Sequence, residues 1–306
     1  MEFKVTVVVP TYNRVRHVIE CLNSVFSQKP EWCDVLVIDN LSDDGTSEVL
    51  EKMYGWRSDF RLVSPPRRIS IAEARNYGLR AAKGDIVAFI DDDCIACEGW
   101  LERLISPLLS NDKVGCVGGK IRPVFLETPP KWIRRDIYGL LGLAEWGNSV
   151  KEIYFPVGGN MALKRRVALE VGGFQEKLGP EGIKLFGEEI SISERLRRAG
   201  YKVIYEPRAV VLHKLWGKRL NVASVAERAY MISMGDYFLF GRKLSRVAVN
   251  MGILFGASLG YVFYHQKNLV CHIFYALGYL VPALTKRKPI LTLRKLLSIL
   301  NRLMGG

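Results

Sequence analysis

From Arg242 to its last residue the sequence contains no aspartate or glutamate, although ten lysines and arginines lie there. That absence locates the charge. The formal net charge is +13, yet the first 241 residues hold 34 cations against 31 acids, an ordinary soluble balance. A nucleic-acid-binding surface spread over the globular part is thereby excluded, because the basic excess sits beside an apolar tail. The opening "MEFKVTVVVPTYN" lacks the long apolar core and cleavage site of a signal peptide; its short run leads into a polar loop. Six cysteines (Cys21, Cys33, Cys94, Cys97, Cys116 and Cys271) lack the spacing of a small disulfide-framed domain and read as reduced, mostly buried thiols. Cys94-x-x-Cys97 has no further ligands in the pattern of a zinc site, so a structural thiol pair is the better reading. Internal repeats and low-complexity segments are also missing.

What is present is a chain of 306 residues, 49% hydrophobic, long enough for one large domain or a domain with an appendage. Short apolar runs alternate with helical patterns through the first half. Strands are expected at Val5–Val9, Val35–Asp39, Arg61–Val63 and Ile86–Ile90. Helices are expected at Val15–Ser27, from Thr46, at Ile71–Ala82 and at Leu101–Leu109. Ser70 and Glu73 have the spacing of a capping box at the head of the third. Strands buried on both faces and alternating with helices imply a mainly parallel sheet flanked by helices. Further strands are expected at Val114–Val124, Ile153–Val157, Lys202–Tyr205 and Val210–Leu212, with helices at Glu188–Ala199 and Val222–Phe240.

In parallel sheets, ligands bind beyond the carboxyl ends of the strands. Three predicted ends carry polar groups there: Pro10-Thr11-Tyr12-Asn13, Asp39-Asn40, and Asp91-Asp92-Asp93 in "FIDDDC". A hard divalent cation such as magnesium or manganese takes one or two carboxylates plus substrate phosphates, which the acidic run can satisfy. The alternative is a solvated acidic turn, for which three acids directly after a buried strand are not needed. Glu188 and Glu189 open a helix, where the dipole alone would favour them; beside a metal site, one becomes a candidate general base. His213, ending "AVVLH", serves either the fold or a metal.

Six ordered segments, "VVVPTYNR", "VLVIDN", "AEARNYGLRAAKGDIVAFIDDDC", "GGNMALKRRVALEVGGF", "GEEISISERL" and "PRAVVLH", resemble the family-2 glycosyltransferases. The resemblance covers about residues 3–240 and implies a GT-A fold, a mixed α/β sheet acting on nucleotide sugars. It implies that Pro10, Thr11 and Tyr12, with Asn13, line the base pocket and that Asp39 hydrogen-bonds the base. Arg75 and Asn76 would lie near the diphosphate, Asp91 and Asp92 on the donor with Asp92 at the ribose, and Asn160 on the donor sugar or acceptor. Asp93, in the family's DXD position, would hold the metal with His213. Glu189 falls where the family has its catalytic base, usually the Asp of an "ED" pair; Glu-Glu here leaves Glu188 as the alternative. The implied reaction is a single inverting displacement onto a hydroxyl of a glycan or lipid-linked acceptor.

The tail, 242–306, is set apart from a catalytic domain of 1–241. Val247–Tyr264 and Leu269–Leu284 are apolar stretches of borderline spanning length, with basic flanks that would fall on one side of a bilayer. Gly252, Gly256 and Gly260 form a small-residue stripe. A buried helical hairpin is one reading; a hairpin in or on the membrane, closed by a basic amphipathic helix, is preferred. The expected protein is therefore a metal-dependent transferase at the cytoplasmic face of a membrane. A sugar nucleotidyltransferase would want a Gly-rich basic loop after the first strand, where "PTYNR" stands. A catalytically silent membrane scaffold would not need Asp92, Asp93 and Glu189.

Overall fold

The computed structural model describes residues 4–176, 186–241, 245, 248–251, 253, 254, 257, 267–284 and 293–299. They divide into two compact units. The first comprises residues 1–124, 142–176 and 188–214; the second comprises 125–141, 177–187 and 215–306.

The first unit is built on one mixed sheet. Runs rich in β-branched and aliphatic residues make β1 (Val5–Thr11), β2 (Cys33–Asp39) and β4 (Ile86–Ile90), each buried along almost its whole length. With β3 (Phe60–Val63) they form a parallel half in the order β3-β2-β1-β4. The helices that return the chain are α1 (Val15–Phe26), α2 (Thr46–Tyr54) and α3 (Ile71–Ala81). The α3 capping box is present, with Ser70 and Glu73 each satisfying the other's backbone N–H.

Beyond β4 the pairing turns antiparallel, so the sheet is parallel in one half only and not mainly parallel. Here lie β5 (Cys94–Ala96), β6 (Val114–Phe125), β7 (Lys151–Glu152), β8 (Asn160–Lys164) and β9 (Lys202–Leu215). The sheet continues β4-β8-β6-β9-β5, with β7 also on β9. Helices α4 (Trp100–Ser110), α5 (Arg165–Glu170) and α6 (Glu188–Arg198) complete the unit. Its core gathers Val8, Leu36, Ile38, Phe89, Met161 and Phe174, with Phe89 and Phe174 edge to face at 5.7 Å.

Two expectations fail locally. Ile153–Val157 is not a strand: after the Ile153 N–H bonds the Val203 carbonyl, Pro156 has no N–H to continue a ladder. The two strands expected around Pro207 are one, β9, in which the Glu206 carboxylate takes the Arg208 N–H that the ladder leaves free.

In the second unit, α7 (Val222–Phe240) packs on α8 (Lys267–Leu284). Ala226, Ala229, Tyr230 and Met234 meet Val270 and Phe274, and Leu293 closes the cluster. The helices approach closely at Gly278, where a Cβ would lie 2.2 Å from the Tyr230 carbonyl oxygen. The expected boundary at residue 241 falls at the end of α7, which shares its core with α8 in the second unit. Leu269–Leu284 falls within α8, whereas most of Val247–Tyr264, including Gly252, Gly256 and Gly260, lies outside the described residues. Among the described residues, no helix is long and apolar enough to cross a membrane, so the expected spanning hairpin has no support in the fold. All six cysteines are free thiols and only Cys97 is not buried.

Candidate active site

The parallel half sets the place. β2, β1 and β4 are neighbours and all run the same way, so the residues after Asp39, Thr11 and Ile90 meet at one edge. Thr11 and Asp39 are register partners. Asp39 is buried and its carboxylate accepts the Ser42 N–H at 3.2 Å and the hydroxyls of Ser42 and Ser47. Tyr12 lies under the Arg68 guanidinium, whose carbon is 3.6 Å from the ring centre, and its hydroxyl accepts a hydrogen bond from that group. Asn40 ties this edge to the chain before α3 by donating to the Ile69 carbonyl and accepting the Ile69 N–H.

Among the described residues, Asn13 and Leu41 are the non-glycine residues with φ in the left-handed region, at 50° and 59°. Both lie in loops at this edge, where such backbone recurs in ligand sites. The Asn13 turn is clamped by the loop after β2. The Asn13 side chain accepts the Asp43 N–H at 2.8 Å and donates back to the Asp43 carboxylate.

The three acids after β4 have three different surroundings. Asp91 is the outermost, with its carboxylate 3.6 Å from the Arg75 guanidinium. Asp92 is buried; it accepts from Thr11 Oγ1 at 2.8 Å and from Arg14 Nη1 at 2.8 Å. Burial pushes the Asp92 carboxyl up to about 6, with Arg14 opposing and neighbouring Asp93 reinforcing the rise. Asp93 is also buried and shares the same Arg14 nitrogen at 2.8 Å. Its other oxygen lies 3.3 Å from His213 Nε2. That meeting follows from the sheet: β5 pairs with β9 so that Cys94 is opposite His213.

Among the described residues, no group of three or more His, Cys, Asp or Glu is arranged to hold a cation alone. Asp93 Oδ1 and His213 Nε2 nevertheless fit a cation completed by a substrate. Their 3.3 Å separation is that of a direct polar contact, and it is also close to the ~3 Å between adjacent ligands in an octahedron with bonds of about 2.0–2.1 Å.

A second cluster is built around α3 and α6. Arg75 is buried and donates from Nη1 to Glu188 at 2.8 Å and to Glu189 at 3.0 Å. Glu189 Oε1 also accepts the Gly158 N–H at 3.0 Å. Of the two glutamates, Glu189 is the more accessible, at 17% side-chain exposure against 6% for Glu188. Burial and the Glu188 charge push the Glu189 carboxyl up to about 7, against the pull of Arg75. A carboxylate poised near neutrality is matched to general-base work.

The Gly158–Gly159 pair is explained by the same cluster. A Cβ on Gly158 would lie 2.0 Å from Arg75 Nη2 and 2.4 Å from Glu189 Oε1, and one on Gly159 would be 2.9 Å from Asp91 Oδ2. With those side chains where they stand, a Cβ at either position would have to push one of them aside.

Three candidates have their polar groups engaged by the protein itself. Arg75 faces Glu188, Glu189 and Asp91. Asn76 donates to the Phe174 carbonyl and accepts the Phe174 N–H, both at 2.8 Å, which pins the turn after α5. Asn160 is fully buried, accepting from Trp100 Nε1 at 2.8 Å and donating to the Lys120 and Ala209 carbonyls. Both asparagine amides are spent on the scaffold. Conversely, sequence reasoning gave no role to Arg14, Arg68, Ser42 or Ser47, although Arg14 stands in "PTYNR" beside residues that were singled out.

Residues 6–172 match the model of glycosyl transferase family 2. The glucosyl-dolichyl phosphate glucuronosyltransferase of Haloferax volcanii is 32% identical over 236 residues, 74% of each chain. The glycosyltransferase AglE of the same organism is 28% identical, over 68% of this chain and 66% of its own. In fold, the chain resembles a mannosyltransferase from Pyrobaculum calidifontis solved with GDP-Man and Mn2+, with a TM-score of 0.60, 22% identity, and coverage of 98% of this chain and 81% of that one. With the family model matched over more than half of its length and a 32% identical relative along 74% of it, the chain belongs to glycosyl transferase family 2.

Proposed function

We propose that this glycosyltransferase moves a sugar from a nucleotide-sugar donor to a hydroxyl of a lipid-linked glycan, with inversion and with a divalent cation. The observation that carries the reading is the placement of two acidic centres with separate duties. Asp93 and His213 are spaced as adjacent ligands, and Glu189, with a carboxyl near 7, lies on the far side of Asp91 and Arg75.

Thr11, Tyr12 and Asp39 line the edge that receives the nucleoside, and the serine contacts of Asp39 hold its carboxylate for a base N–H. Asp92 serves the ribose, with Thr11 fixing its orientation. Asp93 and His213 would hold magnesium or manganese, which supplies charge neutralisation on the diphosphate as the leaving group departs. Glu189 accepts the acceptor's hydroxyl proton, and that oxygen forms its bond to the sugar's anomeric carbon as the bond to the diphosphate breaks. Arg75 and the Gly158 N–H hold the Glu189 carboxylate in place.

A lipid-linked acceptor and a membrane location are supported by the glucosyl-dolichyl phosphate for which the Haloferax relative is named and by the acid-free basic tail. The Pyrobaculum structure, with its GDP-Man and Mn2+, supports the donor class and the metal.

The test is a screen of nucleotide sugars by thermal stabilisation with Mn2+ or with a chelator, followed by transfer to a polyprenyl-phosphate-linked sugar. One donor should stabilise the protein only with metal, by mass action. Asp93→Ala should fold and lose that effect. Metal-independent donor binding, or a product that retains the anomeric configuration, overturns the corresponding part of the proposal.

A further inference from the structure

One group at the site has no part in the chemistry just described. A single nitrogen, Arg14 Nη1, lies 2.8 Å from Asp92 Oδ1 and 2.8 Å from Asp93 Oδ2. One point of positive charge thus bridges two carboxylates whose side chains are 6% and 2% exposed. Arg14 itself is 34% exposed, so its side chain has room to leave.

The backbone presents Arg14 to this position. It occupies the cap position before α1, with no side-chain capping bond of its own and φ −147°. The residue before it, Asn13, is left-handed and clamped to Ser42 and Asp43. The next N–H, of Val15, is taken by Asp44 at 3.2 Å. The turn is therefore held from the β2–α2 loop while the Arg14 side chain reaches back over the end of β1.

Resting on the metal reading of Asp93 and His213, we propose that Arg14 is the resident counter-cation of the donor-free site. It closes the Asp92–Asp93 pair through Asp93 Oδ2, and its charge must move away from Asp93 when a divalent cation arrives at Oδ1 and His213. Two adjacent buried carboxylates would otherwise repel each other with nothing between them. A guanidinium satisfies them when no donor is bound, but its charge also opposes a dication at Asp93. Binding of the cation alone is thereby weakened by the fraction of time that the pair is closed. The donor's diphosphate offers the displaced guanidinium a new bidentate partner, so metal and donor enter together. Arg14 is a positioning and gating group in this scheme and takes no proton.

The measurement is Mn2+ binding to the full-length protein without nucleotide, read from the electron paramagnetic resonance of free Mn2+. Arg14→Gln removes the charge and keeps a donor for one carboxylate, so it guards against misfolding; Arg14→Ala removes both. Were the pair closed nine-tenths of the time, binding would be about tenfold weaker, so either variant should bind Mn2+ more tightly than the parent, by about tenfold at that occupancy. Adding Asp93→Ala to Arg14→Gln should abolish the gain. Unchanged or weaker binding in both folded Arg14 variants, with Asp93 still required, overturns the exchange and leaves the metal site standing. Tighter binding that persists after Asp93→Ala overturns the metal assignment and the exchange with it.

Discussion

Replacing Arg75 with methionine separates two roles for one buried cation. Arg75 Nη1 bonds Glu188 and Glu189 at 2.8 and 3.0 Å, with side-chain exposures of 4%, 6% and 17% for the three groups. A charge pair 4 Å apart at an effective dielectric of 20 is worth about 4 kcal/mol, here divided between two carboxylates. An opposite charge at this range typically lowers a carboxyl pKa by about 1–3 units. Glu189 stands at about 7 with Arg75 present, so its loss should move the ascending limb of the pH–rate profile about 1–3 units to the alkaline side. At neutral pH the rate then falls roughly 10- to 10³-fold and recovers as pH rises. The variant should also lose about 3–5 kcal/mol of stability, the usual cost of leaving buried charge unpaired, with the greater loss at high pH. The sign follows from Glu189: its native carboxyl is raised above the ordinary 4.5, so its contribution to stability is full below about 4.5 and is lost as pH rises through about 7. Initial rates of nucleoside diphosphate release across pH, with urea unfolding alongside, provide the readout. An unmoved limb with a raised donor KM would refute the argument and return Arg75 to the diphosphate, where the sequence motif alone had put it.

Glu189→Gln should keep metal-dependent donor binding and lose about 10²–10⁴ in kcat, measured by product formation; near-normal transfer with an inactive Glu188→Gln would move the base by one residue. Gly158→Ala, whose methyl would sit 2.0 Å from Arg75 Nη2, should cost at least 1–3 kcal/mol and disturb the base, and a fully active, equally stable variant would show that the segment can yield. The full-length protein should sediment with membranes, and release by 1 M salt, which screens exposed charge beyond about 3 Å, would mean surface attachment through the basic tail, whereas a detergent requirement would mean burial in lipid. If it never sediments with membranes, the lipid-linked acceptor loses one of its two supports.

The parallel half was readable because its signals are local. Val5–Thr11 and Ile86–Ile90 are buried on both faces, so they appear as mainly apolar runs without a polar alternation, and Ser70 with Glu73 announces the start of α3. The antiparallel half was harder. Three-residue β5 hides behind the acidic run, and its partner β9 contains Pro207, which reads as a break in a linear scan. The positions of Thr11, Asp39 and the acidic run were legible from a topological rule. The partners of those groups were not. Arg14 meets Asp92 across 78 residues and Arg75 meets Glu188 across 113, and no periodicity encodes contacts so distant. Asn76 and Asn160 pose the converse difficulty, because an amide in a motif reads the same whether it faces a ligand or satisfies buried backbone carbonyls. Gly278 was likewise invisible beside the more regular glycines at 252, 256 and 260.

The question raised by three consecutive acids has a physical answer in how their neighbours differ. Successive residues leaving a strand point in different directions, so adjacency in sequence becomes separation in duty. Asp91 turns toward Arg75, Asp92 toward Thr11 and Arg14, and Asp93 toward Arg14 and His213. Through Arg75 the run is joined to Glu188 and Glu189, giving five carboxylates around two guanidiniums. Such a site is short of positive charge before any substrate arrives. A nucleotide sugar would bring further negative charge on its diphosphate, so on the proposed reading a donor at this edge would need cationic charge to enter with it or be released toward it. Burial, reinforced by neighbouring carboxylates, raises the Asp92 and Glu189 carboxyls; the shortage of positive charge would make donor binding depend on a cation, and on the proposed reading one arrangement of acids would serve both the departing diphosphate and the attacking hydroxyl.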